Sequence, residues 1–175
     1  ISTGQYRMEY QGARNVWVVS SAISIKNNWD LVFKNYGMTN YRMIRNLADL
    51  DAVQDGEFVI ITLNMLSKYR KRHIRIRSRN VCLVFDESDE MTNPDSKRTK
   101  AVLDCFRRVK FKLAMTGTVT RNNISECAPQ LELLYNNSHN MLSWADTLYY
   151  FEKDNDNEEF LNCSNNPYYG KPIPA

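Results

Sequence analysis

The sequence predicts an α/β domain, a mostly parallel sheet with helices on both faces. Three observations predict it. Runs at 16–20, 41–44, 58–62 and 81–85 read as apolar and rich in β-branched residues, 111–115 is a fifth apolar run, and they lack the alternation of a half-exposed sheet. Stretches of helical apolar spacing lie between several of them, which is the signature of βαβ units. Four of the runs stop at hydroxyl or acidic residues: Ser20-Ser21, Thr62, Asp86-Glu87 and Thr116-Gly117-Thr118. In an open parallel sheet ligands sit outside the carboxyl ends of the strands, so these endings predict one polar, ligand-binding rim.

Along the chain, Val-Trp-Val-Val-Ser at 16–20 is the first strand. Ile25, Trp29, Phe33 and Tyr36 recur at helical spacing, with Gly37 as a C-terminal cap. The run at 41–44 is the weakest strand, and 58–62 and 81–85 are stronger. Ala101, Val102, Cys105, Phe106 and Val109 make a second helical face before the strand at 111–115. Ile124, Cys127, Leu131 and Leu134 make a third, with Asn122 and Asn123 as capping candidates. From Asp154 onward the chain is rich in Asn, Pro and acidic residues, which predicts a linker or irregular extension. The expected division is a domain at 1–151 and an extension at 152–175.

The chain has 175 residues, enough for one domain with a real core, and its 43% apolar and 25% charged residues are those of an ordinary globular protein. No stretch approaches the roughly 20 apolar residues of a membrane span. No signal peptide stands at the start, and Ile1 is not an initiator Met. Cys82, Cys105, Cys127 and Cys163 are scattered, with no Cys-x-x-Cys pair and no nearby His. They read as reduced core thiols of an intracellular protein rather than zinc ligands. The net charge of +3 conceals a basic block at 68–79 and an acidic one at 152–159. The basic block, Arg70, Lys71 and Arg72 at its centre, either faces phosphates or is solvated surface.

Two motifs carry chemistry. Val-Cys-Leu-Val-Phe-Asp-Glu-Ser-Asp at 81–89 ends a buried run in adjacent carboxylates. In phosphoryl transfer from a nucleotide, one carboxylate holds Mg²⁺ and the next orients the attacking water. The bland alternative is an N-terminal cap for the following helix. Lys-Leu-Ala-Met-Thr-Gly-Thr at 112–118 places a glycine between two hydroxyls, allowing a tight turn whose hydroxyls can bond neighbouring carboxylates. Taken alone it is a strand-to-helix turn.

Residues of about 16–135 resemble the first RecA-like lobe of superfamily 2 helicases, on the Swi/Snf-like branch. That family's Walker B region, roughly Asp-Glu-Ala-His followed by Asn, Ser-Lys and Lys-Ala, is matched by Asp86-Glu87-Ser88-Asp89, Asn93, Ser96-Lys97 and Lys100-Ala101. Its Thr-Gly-Thr-Pro-x-x-Asn motif is matched by Thr116-Gly117-Thr118-Val119-Thr120-Arg121-Asn122. Its Pro-x-Ser and Asn-Trp motif is matched by Ala22, Ser24 and Asn28-Trp29, and its strand ending in Thr-Tyr by 59–62. Asp89 stands where the family has His, Val119 and Ala22 where it has Pro, and Leu63 where it has Tyr.

The resemblance implies ATP and Mg²⁺ as cofactors, Asp86 as the Mg²⁺ ligand and Glu87 acting on the hydrolytic water. It implies that Asp89, Thr116, Gly117 and Thr118 couple nucleotide state to the nucleic-acid side. Ser24, Thr62, Arg121 and Asn122 would lie near a nucleic-acid backbone, most simply DNA, and a second RecA-like lobe would belong to the same polypeptide. No Gly-x-x-x-x-Gly-Lys-Thr/Ser phosphate loop occurs; Gly170-Lys171-Pro172 lacks its hydroxyl and follows no strand. The expectation is that Ile1 falls just after such a loop, with residues 1–15 the end of its helix. A motor segment of this kind would be inactive alone. The alternatives are a non-catalytic nucleic-acid-binding or scaffold domain with a degenerate helicase fold, and the motor segment of a DNA-processing enzyme. The Asn-, Tyr- and Lys-rich composition suits a viral or low-GC bacterial source.

Overall fold

The computed structural model describes residues 1–70, 74, 77–78, 80–119 and 124–135. Within them five strands form one all-parallel sheet: β1 (Val16–Ser20), β2 (Tyr41–Ile44), β3 (Phe58–Thr62), β4 (Cys82–Asp86) and β5 (Phe111–Met115), in the order β2-β3-β1-β4-β5. The fourth run is shifted by one from expectation. It begins at Cys82 and extends to Asp86, because Asp86 still pairs with Met115 of β5. No helix among the described residues is long and apolar enough to cross a membrane.

The missing alternation has a direct cause, since successive strand residues bury into two different cores. Trp17, Val19, Val59, Ile61, Leu83 and Phe85 pack on one face, and Val16, Val18, Phe58, Ile60, Cys82 and Val84 on the other. Side chains alternate across a strand, so both registers must be apolar when both faces are covered. The second face is covered by α1 (Ser2–Gln11) and by a continuous helical segment, α2 (Ala22–Ser24), a π turn (Ile25–Trp29) and α3 (Asp30–Asn35). The first face is covered by α4 (Leu47–Asp51), α5 (Leu63–Tyr69), α6 (Lys97–Phe106) and α7 (Ala128–Leu134). Burying a large apolar side chain such as Phe33, Phe85 or Phe106 contributes about 2–3 kcal/mol each, and all three are fully buried.

Local chemistry sets the helix ends. Asn46 and Asp49 form a reciprocal capping box on α4, Thr62 Oγ1 accepts from Met65 N–H to start α5, and Ser96 Oγ accepts from Thr99 N–H to start α6. Gly37, at φ +63°, stands where the chain leaves α3, as the sequence predicts. Three residues of the expected helical faces fall elsewhere, one of them Leu134, which is 42% exposed at the end of α7. Tyr36 is 75% exposed, because the helix has ended by Asn35, and Val109 is buried but lies beyond α6. A 3₁₀ turn at Ser88–Met91 follows β4, and another at Ile124–Cys127 precedes α7. The capping candidates Asn122 and Asn123 and the expected extension at 152–175 lie outside the described residues.

Candidate functional site

β1 and β4 are neighbours at the centre of the sheet, and their onward connections go to opposite faces: Ile25 and Phe33 after β1 join one core, Met91 and Ala101 after β4 the other. Where neighbouring parallel strands part in this way, a crevice opens at their carboxyl ends. Ser20 ends β1 and Asp86 ends β4.

Asp86 is fixed from two sides. The Ser20 hydroxyl donates to Asp86 Oδ2 at 2.9 Å, and the Trp29 indole N–H donates to the same oxygen at 2.8 Å. Ser20 is reached from the adjacent strand and Trp29 from the last residue of the π turn. Both are missing from the sequence-derived site residues. A strand ending in serine was visible, and Trp29 stood in the Asn-Trp motif of the resemblance without a role assigned to it; its helical apolar spacing reads as core, and nothing local in sequence announces a π turn.

Glu87 follows with φ +57° and ψ +52°, one of two non-glycine residues among those described with positive φ. Its side chain is exposed. It occupies the N-cap position of the 3₁₀ turn without making a side-chain cap, so the capping alternative does not account for it. The left-handed residue turns the chain so that Asp89, 3% exposed, reaches the end of β5. There the Thr116 hydroxyl lies 3.0 Å from Asp89 Oδ1 and 2.8 Å from the Thr118 carbonyl, its one proton shared between the two acceptors, and Thr118 Oγ1 lies 3.5 Å from Asp89 Oδ2. Thr116 Oγ1 also accepts from Thr118 N–H at 3.1 Å, which closes the Thr-Gly-Thr turn. Asp86 and Thr116 thus share one rim, but the carboxylate that Thr116 bonds is Asp89 and not Asp86. The register explains it: Asp86 pairs with Met115, and Thr116 lies one residue beyond the ladder, level with the turn that follows Asp86.

A second link joins the same two loops. Ser88 Oγ donates to Gln130 Oε1, and Gln130 Nε2 donates to the Val119 carbonyl, each at 3.0 Å, with Gln130 only 6% exposed. Gln130 lies on α7, and no motif in the sequence marks it.

The remaining expected site residues are placed as follows. Ser24 is half-buried in α2, its N–H donating to Ser21 Oγ. Thr62 caps α5 with its hydroxyl. Arg70 is turned onto α6, with Nη1 3.4 Å from the Lys97 carbonyl and 3.9 Å from Asp104. Lys71, Arg72, Arg121 and Asn122 lie outside the described residues.

Among the described residues no three His, Cys, Asp or Glu side chains gather as a metal cage. Mg²⁺ carried on a nucleotide needs none, because one or two protein carboxylates complete a shell of phosphate oxygens and waters. A half-buried carboxylate with one oxygen already occupied by two donors and the other left for a cation suits that role.

The family model of the SNF2-related domain matches residues 7–163. No curated protein matches the chain. Among solved structures, the chain is similar to one described as the Sulfolobus solfataricus SWI2/SNF2 ATPase core in complex with dsDNA, at 18% identity and a TM-score of 0.50. The match covers 75% of this chain and 26% of that one, so the chain spans about a quarter of the length of the structure it resembles. The likeness is one of fold, a five-stranded parallel RecA-like lobe. With nine-tenths of its length inside the family model, the chain belongs to the SNF2-related domain family, superfamily 2 helicase-like ATPase domains.

Proposed function

We propose that in the intact protein this domain is the first lobe of an ATP-hydrolysing translocase on nucleic acid, with Asp86 on the Mg²⁺ side and Glu87 acting on the attacking water. The observation that carries the proposal is the pair at the end of β4: a carboxylate immobilised by two donors in the central crevice, followed by an exposed carboxylate on strained backbone. Strained residues of this kind persist where the surrounding structure holds them, and they concentrate at reactive sites.

Mg²⁺ bound with the nucleotide would neutralise charge on the phosphate oxygens. Asp86 offers it a fixed carboxylate oxygen. Glu87, unhindered by any cap, accepts the proton of a water attacking the γ-phosphorus as the bond to the ADP oxygen breaks. The loop after β4 and the loop after β5 are tied by Asp89 to Thr116 and Thr118, and again through Gln130. A change at the phosphates that moves one loop therefore moves the other, and this is the coupling role assigned to Asp89, Thr116, Gly117 and Thr118. The solved relative is in complex with dsDNA, which favours duplex DNA as the partner here, held by backbone contacts from Ser24, Thr62, Arg121 and Asn122. A second RecA-like lobe of the same polypeptide would complete the site.

The test is Glu87→Gln in the full-length protein. DNA-stimulated ATP hydrolysis should fall by at least about 10²-fold, with nucleotide affinity unchanged. Unchanged turnover would overturn the assignment, and DNA binding without any hydrolysis by the parent protein would favour the non-catalytic reading.

A further inference from the structure

Trp29 sits where a core residue is expected. Its ring packs 6.0 Å from that of Phe33, and apolar spacing alone would explain it. Two features go beyond packing. The indole N–H is spent on Asp86 Oδ2, 57 residues away and on another element. The helix is also locally widened to a π turn over Ile25–Trp29, closed by the Asp30 N–H donating to the Ile25 carbonyl. Four residues of regular α-helix overshoot one full turn by about 40°. Widening the turn absorbs that excess, so Ile25 and Trp29 both face the sheet while Phe33 remains in its core, stacked on Tyr41 at 4.8 Å. Single π turns are disfavoured and recur at functional sites.

We infer that Trp29 is a positioning residue for the Asp86 carboxylate: with Ser20 it holds Oδ2, and so presents Oδ1 to the nucleotide-bound cation. The inference rests on the proposed hydrolytic role of Asp86. The physical reason is that a carboxylate free to rotate offers either oxygen in many orientations. Two donors on one oxygen select a single orientation before the cation arrives. Groups that orient a metal ligand in this way change metal affinity by about 10–100-fold when removed. Trp17 provides a contrast, being fully buried with an indole N–H that has no partner among the described residues. The hydrogen bond of Trp29 is therefore not a general consequence of burying tryptophan in this domain.

The experiment has a metal-free arm and a metal arm, both on the full-length protein. In the metal-free arm, Asp86→Ala, which removes the acceptor, should shift the indole N–H resonance of Trp29 and speed its exchange with solvent, leaving that of Trp17 in place. In the metal arm, Mn²⁺ binding is measured by electron paramagnetic resonance in the presence of a non-hydrolysable ATP analogue. Trp29→Phe, which keeps an aromatic ring and loses only the donor, should weaken Mn²⁺ binding about tenfold without changing metal-free affinity for the analogue. Ser20→Ala removes the other donor without touching the α2–α3 packing and should weaken it in the same direction. An unmoved Trp29 resonance, or Mn²⁺ affinity equal to the parent in both variants, overturns the positioning role while leaving the hydrolytic reading intact. A parent protein that binds no Mn²⁺–nucleotide overturns both.

Discussion

The backbone of Glu87 sits at φ +57°, a conformation that costs an L side chain about 1–2 kcal/mol and glycine almost nothing. Glu87→Gly should therefore stabilise the fold by about 1 kcal/mol, read as a higher denaturant midpoint, while abolishing hydrolysis. A loss of stability would show that the Glu87 side chain has a structural role instead. Gly4 poses the reverse problem. A Cβ there would stand 2.9 Å from Val16 Cγ2 and 3.0 Å from Phe58 Cε1. Alanine gains about 1 kcal/mol in helix propensity, but overpacking costs about 1–3 kcal/mol. Gly4→Ala should thus lower stability by up to about 2 kcal/mol in chemical denaturation. At this scale the sequence was legible where chemistry is local. Asp86-Glu87 and Thr116-Gly117-Thr118 stand out because apolar runs end in them. The closeness of α1 to the sheet and the partners of Asp86 depend on residues far away in sequence, and no local pattern encodes them.

Elements were legible in proportion to their length and to how fully they are buried. The inner strands β3, β1 and β4 show most clearly because they bury both faces, whereas the edge strands β2 and β5 are only partly buried. The short helices α4 and α5 were missed, since five and seven residues give too few turns for a periodicity. Their signal is in the caps, Asn46 with Asp49 and Thr62. A cap-based prediction follows for Thr62, which the family resemblance would place at a nucleic-acid backbone. Thr62→Ala should cost about 1 kcal/mol of stability in addition to any loss of DNA affinity, whereas Thr62→Ser should restore the stability. Lys112 shows a tie between elements. Its ammonium donates to the Arg107 carbonyl at 2.7 Å and the Leu133 carbonyl at 2.6 Å, gathering the C-terminal ends of α6 and α7 onto β5. Burial pushes its pKa below the ordinary lysine value, so part of that gain is offset. Positive charge at two helix C-termini is the favourable arrangement.

For the whole molecule, the class of fold and its two-faced core were legible, but the strand order β2-β3-β1-β4-β5 was not. Alternating strands and helices imply parallel pairing and leave the neighbours open. The order is decided by which apolar strand can be buried on both edges, a property of the assembled sheet. Stability of the whole should respond to acid through Glu57. Its carboxyl is held below the usual range, first by the hydrogen bonds from Arg42 and, more weakly, by the Gln54 N–H, against the opposing effect of burial. The folded state therefore binds this proton less readily than the unfolded chain. The stabilisation is complete above the unfolded value of about 4.3 and is lost as pH falls through the lower folded value. Arg42→Met should make denaturant stability less steeply dependent on pH below about 4.3, at the expense of stability near neutrality. An unaltered acid slope would remove Glu57 from the cause. On DNA, neutralising Arg70, Lys71 and Arg72 together should flatten the salt dependence, by roughly 0.9 in the log–log slope for every phosphate these side chains had neutralised. Arg70 should contribute least, being held against α6.

The π turn at Ile25–Trp29 also fixes the reading frame of the helix around it. A π turn is an α-helix carrying one surplus residue, so a single-residue deletion is its natural reversal. Removing Asn27 would restore a regular ladder and rotate everything before the turn by about 100° relative to everything after it. Phe33, clamped between Tyr41 and Phe58, holds the downstream half in place. The upstream half would have to yield, breaking the line that runs from the sheet through the indole to Asp86. The segment should therefore tolerate exchange of its exposed side chains far better than any change in their number.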